Sequence, residues 1–388
     1  MINGYGNIFF LYFIVIHMKT KTKKNGLSLG TGLSAKCVVT PALKCKTSKT
    51  QKFNLTKMVS KVIETPEKEI MKDILEREIF TSTLINSNQD NPLSNRFITI
   101  DTICDLDFSV NKNRAKFIKE NCGIDRNDSS YSYQIFNMYN GACTKNTKKS
   151  QICGNLSNPE TCKYLAESSN LKKLVRYLLE AVEFLHNMDV VHCDIKPLNI
   201  LCDDKGVVRF IDYGSSIFLK DSNKGQLEFE TMCQDLTKII KTKSSIFNSR
   251  DQFYNKVAAI TVKFTPPEIG IARCVLKKED MEFSEMYLEM ILNYMNRDTK
   301  DFKKLVKRYH RNGYKIIQDL FCKKNPMIYK WDVFSLGKTF AEIYFVGKNK
   351  ENHEDIPDEL RDLIDKMTHS DYKKRISIKA ALSHPYLI

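Results

Sequence analysis

The sequence predicts an α+β chain of two lobes: a small β-rich lobe with one helix, followed by a larger, mainly helical lobe. Three observations carry this. Short strand-like runs with a single helical stretch among them fill residues 26–140. Apolar residues at helical spacing dominate residues 141–388. The chain has 388 residues, 42% of them hydrophobic, which suffices for one large two-lobed unit or two ordinary domains.

Residues 1–25 read as a tail. The apolar run at residues 8–16 is far shorter than the ~20 residues that span a bilayer. Its positive charge follows the run, whereas a signal peptide carries it in front. No transmembrane span is expected. A membrane-associated segment, or a natural start at Met18 where the composition changes abruptly, are the alternatives. A glycine-containing turn at residues 26–32 leads into a strand-like run at 35–43, and "KMVSKVI" is a second. Thr65-Pro66-Glu67 opens a helix that is apolar at Ile70, Ile74, Ile79 and Leu84. "RFITIDTICDL" and "YSYQIFNMY" are strand-like and close the small lobe near Asn140.

In the second lobe, "LKKLVRYLLEAVEFLHNM" is apolar at Leu171, Leu174, Leu178, Val182 and Leu185, one buried helical face. Val190-Val191 and "VVRFI" are short strands on either side of the loop "HCDIKPLN". "WDVFSLGKTFAEIYF" is a hydrophobic helix, and residues 360–388 are helical to the end.

The loop carries chemistry. Phosphoryl transfer needs a carboxylate beside the attacking hydroxyl, ligands for Mg²⁺ and positive charge on the phosphates. Asp194 is the candidate base, and Lys196 reaches the transferring phosphate. Asn199 can offer its amide oxygen to a hard cation. Asp212 follows "VVRFI" directly and precedes Tyr213-Gly214, a place suited to the other face of the metal. A lone aspartate on a loop is far more often a turn or cap residue. The specificity lies in the set and its spacing.

That set resembles the eukaryotic-type serine/threonine protein kinase family, from about Gly26 to the C-terminus and patchily in the first lobe. "HCDIKPLN" resembles the catalytic loop H-R-D-x-K-P-x-N, and its Lys-Pro the serine/threonine branch. "DYG" resembles D-F-G. "FTPPE" resembles the A-P-E end of the activation segment, with Glu268 as the structural glutamate. "WDVFSLG" resembles the central helix, whose Asp332 would brace the catalytic-loop backbone. "DYKKRISIKAALSHPYL" resembles the final helices, with Arg375 paired to Glu268. His192 and Gly214 would be structural.

"LGTGLSAKCVV" resembles the Gly-rich loop G-x-G-x-x-G-x-V: Gly30 and Gly32 match, Ala35 replaces the third glycine and Cys37 the valine. "MVSK" resembles V-A-I-K and puts Lys61 on the α/β-phosphates, with Lys57 the alternative. Glu76 is the expected helix partner of Lys61, and Glu78 the alternative. The resemblance implies a bilobal protein kinase-like fold, ATP and Mg²⁺ as cofactors, and proteins bearing Ser/Thr as substrates. A looser resemblance, to kinases of large nucleocytoplasmic DNA viruses, implies a protein of host cytoplasm or virion.

Twelve cysteines form no C-x-x-C pair and no C-x2-C…H-x3-H arrangement. Neither zinc nor a disulfide framework is expected, and the thiols suit a reducing cytosol, the expected location. The net charge is +15, clustered at residues 19–24, 44–52, 145–149 and 303–311. No cluster sits in a nucleic-acid motif, so the charge reads as a solvated basic surface plus groups that hold ATP phosphates. No stable nucleic-acid binding is expected.

The chain departs from the family in two ways. Insertions at about 218–260 and 269–329 lengthen the second lobe and read as filler packed on it, with regulatory or docking elements as the alternative. Cys193 stands where regulated members carry an arginine that holds a phosphate of the activation segment. A thiol cannot form that pair, so activity is expected not to depend on phosphorylation through this residue. The predicted function is an ATP-dependent protein serine/threonine kinase. The alternatives are a pseudokinase scaffold, suggested by Cys193 and Ala35, and a small-molecule phosphotransferase.

Overall fold

The computed structural model describes residues 27–30, 37–46, 58–65, 69–124, 132–139, 154–220, 263–269, 313–322, 326–350 and 353–388. They belong to two compact units, one drawn from Met1–Ser87 and Ile98–Asn146, the other from Asn88–Phe97 and Thr147–Ile388. Residues 8–16, Gly32, Ala35, Lys57 and most of 218–260 and 269–329 lie outside the described residues.

The first unit holds a five-stranded antiparallel sheet in the order β1-β2-β3-β5-β4. Its strands are β1 (Leu27–Gly30), β2 (Cys37–Thr40), β3 (Met58–Thr65), β4 (Ile100–Asp105) and β5 (Ser132–Tyr139). β3 pairs β5 along its whole length, with Lys61 opposite Phe136 and Val62 opposite Ile135. Successive side chains of a strand point to opposite faces, and directly paired residues share a face. Val62 and Ile135 therefore join Cys37, Phe117 and Ile118 in one core cluster. Ile63 and Phe136 join Leu75 and Ile79 of helix α1 (Glu69–Asn86) in another. This alternation puts Lys61, two residues from Ile63, on the α1 side.

A second short helix, α2 (Ala115–Cys122), supplements the single helix read from the sequence and covers the opposite face of the sheet. It ends at Gly123 in the left-handed region, φ 62°, a helix stop that glycine adopts without steric cost.

Among the described residues two disulfides tie this unit together, correcting the expectation of unpaired thiols. Cys37 of β2 joins Cys122 at the end of α2, and Cys45 after β2 joins Cys104 of β4. The pairs are separated by 85 and 59 residues in sequence but by 5.0 and 5.8 Å between Cα atoms. Bridging depends on that distance, which the fold creates, rather than on motif spacing. The inference of a reducing compartment thereby loses its basis. Cys162, Cys202 and Cys322 are free thiols among the described residues.

The second unit is mainly helical. α3 (Pro159–Leu165) begins at Asn158, whose side chain accepts from the Glu160 and Thr161 N–H groups, with Pro159 in the first helical position. α4 (Ser168–Asn187) buries Leu171, Leu174, Leu178, Val182 and Leu185, the face predicted from sequence. Then follow α5 (Gly313–Leu320), α6 (Tyr329–Lys348), α7 (Asp358–Met367) and α8 (Ile378–Leu382). α6 is buried on most sides. At Gly337 and Gly347 the side chains or backbone of α7 and α3 approach so closely that a Cβ would collide with them.

Short strands frame the loops of this unit. β6 (Gly154–Asn155), β8 (Ile200–Cys202) and β9 (Val208–Phe210) form one sheet in the order β6-β8-β9, and β7 (Val190–Val191) pairs with β10 (Ile217–Phe218). Among the described residues no helix is long and apolar enough to cross a membrane.

Candidate active site

The loop after β7 gathers three of the predicted residues. Both oxygens of the Asp194 carboxylate accept from Lys196 Nζ, at 2.8 and 2.7 Å. Asn199 Nδ2 donates to the Asp194 carbonyl at 2.9 Å and to Asp194 Oδ2 at 2.8 Å. With the amide nitrogen engaged in this way, Asn199 Oδ1 is the atom left to offer a hard cation. The Ile211 N–H donates to the Asn199 carbonyl at 3.0 Å. This bond ties the exit of β9 to the loop and sets Asp212, the next residue, beside it in the chain. Asp212 is itself held in the left-handed region at φ 67°.

The loop backbone is anchored from beneath. Asp332, fully buried in the first turn of α6, accepts from the His192 N–H at 2.8 Å and the Cys193 N–H at 2.9 Å. Its Oδ2 also lies 3.1 Å from His186 Nε2, a contact that no sequence motif signalled. A carboxylate taken out of water needs such donors, so it clamps the backbone that supplies them. The His192 ring packs 5.8 Å from Phe210 and 5.5 Å from Tyr213, centroid to centroid. Phe97 stacks on Phe210 at 5.7 Å. Tyr213, where the motif has Phe, is buried, and its hydroxyl donates to the Phe210 carbonyl at 2.7 Å. The extra oxygen is thus satisfied within the core. Gly214 follows, also buried.

Glu268 and Arg375 meet as the sequence suggests. The guanidinium binds the carboxylate through two parallel contacts of 2.6 and 3.0 Å, with both side chains fully buried. Its other donors reach the carbonyls of His369 and Lys330. Burial, and then the Arg375 charge, hold the Lys330 ammonium below the usual lysine range.

In the first unit Lys61 Nζ lies 2.8 and 2.7 Å from the two oxygens of Glu78. The expected partner Glu76 is corrected to its alternative. A helix turns about 100° per residue, so Glu76, two residues earlier, lies on the far side of α1 and is exposed. The signal was present in sequence: Leu75, Glu78, Ile79 and Ser82 fall at i, i+3, i+4 and i+7, one face of the helix. Of the predicted Gly-rich loop, Gly30 ends β1 opposite Val38, and Cys37 is buried in its disulfide.

The family described as "Protein kinase domain" matches residues 151–387, well over half of the chain. The phosphorylase b kinase gamma catalytic chain, liver/testis isoform, of Bos taurus is 42% identical over 71 residues, 18% of each chain. MAP kinase kinase kinase wis4 of Schizosaccharomyces pombe is 30% identical over 78 residues, 20% of this chain and 6% of that protein. Serine/threonine-protein kinase pim-2 of Danio rerio is 38% identical over 76 residues, 19% of this chain and 24% of that protein. Each match spans less than a quarter of the relative's own length, and these relatives lend no support to the viral resemblance. On the strength of the family match, the chain belongs to the protein kinase domain family.

Proposed function

We propose that the chain is an Mg²⁺- and ATP-dependent protein kinase acting on serine and threonine hydroxyls. The observation that carries this reading is the Asp194 carboxylate, bound at 2.7–2.8 Å by Lys196 and Asn199 on a loop anchored by buried Asp332. Asp194 orients the attacking hydroxyl and takes its proton as its oxygen bonds to the γ-phosphorus and the bond from that phosphorus to the bridging oxygen breaks, releasing ADP. Lys196, already beside Asp194, offers its ammonium to the transferring phosphoryl group. Asn199 and Asp212 supply oxygen ligands for Mg²⁺, which when bound neutralises charge on the phosphate oxygens. Lys61, oriented by Glu78, supplies a further cation for the α/β-phosphates. Lys196-Pro197 supports the serine/threonine branch. On this reading residues 26–140 are the N-lobe and 141–388 the C-lobe.

A radiolabelled-ATP assay on mixed protein substrates tests the reading. Wild type should label protein, and Asp194→Asn should lower the rate by about 100- to 10,000-fold. Chelation of Mg²⁺ should abolish transfer. Absence of transfer by wild type would leave a scaffold without catalysis. Transfer to small metabolites alone would indicate a small-molecule phosphotransferase.

A further inference from the structure

Cys193 stands where phosphate-regulated members of the family carry arginine, and its side chain belongs to an apolar cluster. The residue is only 5% exposed. Val191, Cys193 and Ile217 share one cluster with Ile316, Ile317 and Leu320 of α5. A helix from the insertion at 269–329 therefore packs in the same core as the residue preceding Asp194. Aliphatic side chains offer a phosphate no hydrogen bonds, and burying one among them would be strongly unfavourable.

α5 is firmly seated. Its Leu320 carbonyl accepts from the Ile328 N–H at 3.0 Å, and the Asp319 carbonyl from the Met327 N–H at 3.3 Å. The Asp319 carboxylate accepts from the Tyr372 hydroxyl at 2.8 Å and pairs with Lys373 Nζ at 2.9 Å. Ile328 and Trp331 belong to the same cluster and lead directly to Asp332, which clamps the loop. On the other side Ile217 of β10 lies opposite Val191 of β7. The cluster thus includes the strand before the catalytic loop, the residues leading into α6 and the segment after Asp212. Cys193 itself is held at φ 63°, a conformation that costs a non-glycine residue free energy and persists only where its surroundings enforce it.

We propose that α5 is a built-in brace that positions the catalytic loop in place of a phosphorylated activation segment, with Ile317 and Leu320 as positioning residues. The inference rests on the kinase reading above. Because the packing is part of the fold, the brace is permanently engaged.

Hydrogen exchange of the full chain, read by mass spectrometry, tests it. In Ile317→Ala and Leu320→Ala, peptides spanning residues 190–201 should exchange roughly tenfold faster or more, with α7 peptides within about twofold of wild type. Ile317→Val should keep loop protection within about twofold of wild type. The alanine variants should also lose roughly tenfold in kcat, with KM for ATP changed by no more than about threefold. Phosphatase-treated wild type should retain at least about half of its kcat. Unchanged loop exchange in both alanine variants, opening of the loop and α7 in step, or loss of activity on phosphatase treatment would each overturn the proposal. If wild type transfers no phosphate while loop exchange responds as expected, the kinase reading fails and the brace stands.

Discussion

Glu76 and Glu78 stand two residues apart on α1, and only Glu78 reaches the Lys61 ammonium. The side chains of that pair are 10% and 4% exposed, so water does little to screen them. A charge-assisted contact of this kind fixes where a lysine presents its positive charge. Glu78→Gln should therefore lower kcat/KM for ATP by roughly tenfold or more, whereas Glu76→Gln should stay within about twofold of wild type. Steady-state kinetics with ATP as the varied substrate decides between the two, and the reverse pattern would refute the assignment. Tyr213 shows a different residue-level solution. A phenol replaces the phenyl ring of the motif without leaving an unsatisfied hydroxyl, because the Phe210 carbonyl lies within hydrogen-bonding distance.

At the scale of elements, the first unit is a small sheet with α1 on one face and α2 on the other, cross-linked twice. The Cys37–Cys122 bridge fastens α2 to β2, and Cys45–Cys104 fastens the segment after β2 to β4. Cross-links across 85 and 59 residues remove many conformations from the unfolded chain. In the chain-entropy picture each is worth about 4 kcal/mol. Reduction should therefore lower the unfolding temperature of the first unit and leave α7 in the second unit unaffected. Hydrogen exchange during heating, with and without a phosphine reductant, would show this. Equal behaviour of β3 and β5 peptides under both conditions would argue against the bridges.

The whole molecule should lose stability in acid. Burial tends to raise the Asp203 carboxyl, but Arg209 and the Val207 and Lys205 N–H groups outweigh it and hold the group below its ordinary range. Asp319 behaves alike: partial burial raises it, and Lys373 and Tyr372 more than compensate. A carboxyl depressed in the folded state stabilises fully above its unfolded value of about 3.9, and that contribution fades as pH falls through the folded value. Urea midpoints should thus be lower at pH 3.5 than at pH 7, and the wild-type advantage over a combined Asp203→Asn and Asp319→Asn variant should shrink over the same interval. An advantage independent of pH would contradict this account.

Much of this was legible in the chain. Alternation over a few residues marked the strands around Lys61, and the apolar stripe of α4 appeared residue for residue. The spacing of His192, Asp194, Lys196, Asn199 and Asp212 was readable because those residues lie within one loop and just past the short β8–β9 hairpin that follows it. These features show in the chain since each arises from contacts between near neighbours, where helical or strand geometry dictates what can meet. Long-range packing alone brings Cys37 to Cys122, lets Asp332 also engage His186, and seats α5 in one core with Cys193. Those partners are tens to more than a hundred residues apart, and what joins them is chain closure around a shared core, which no local pattern encodes.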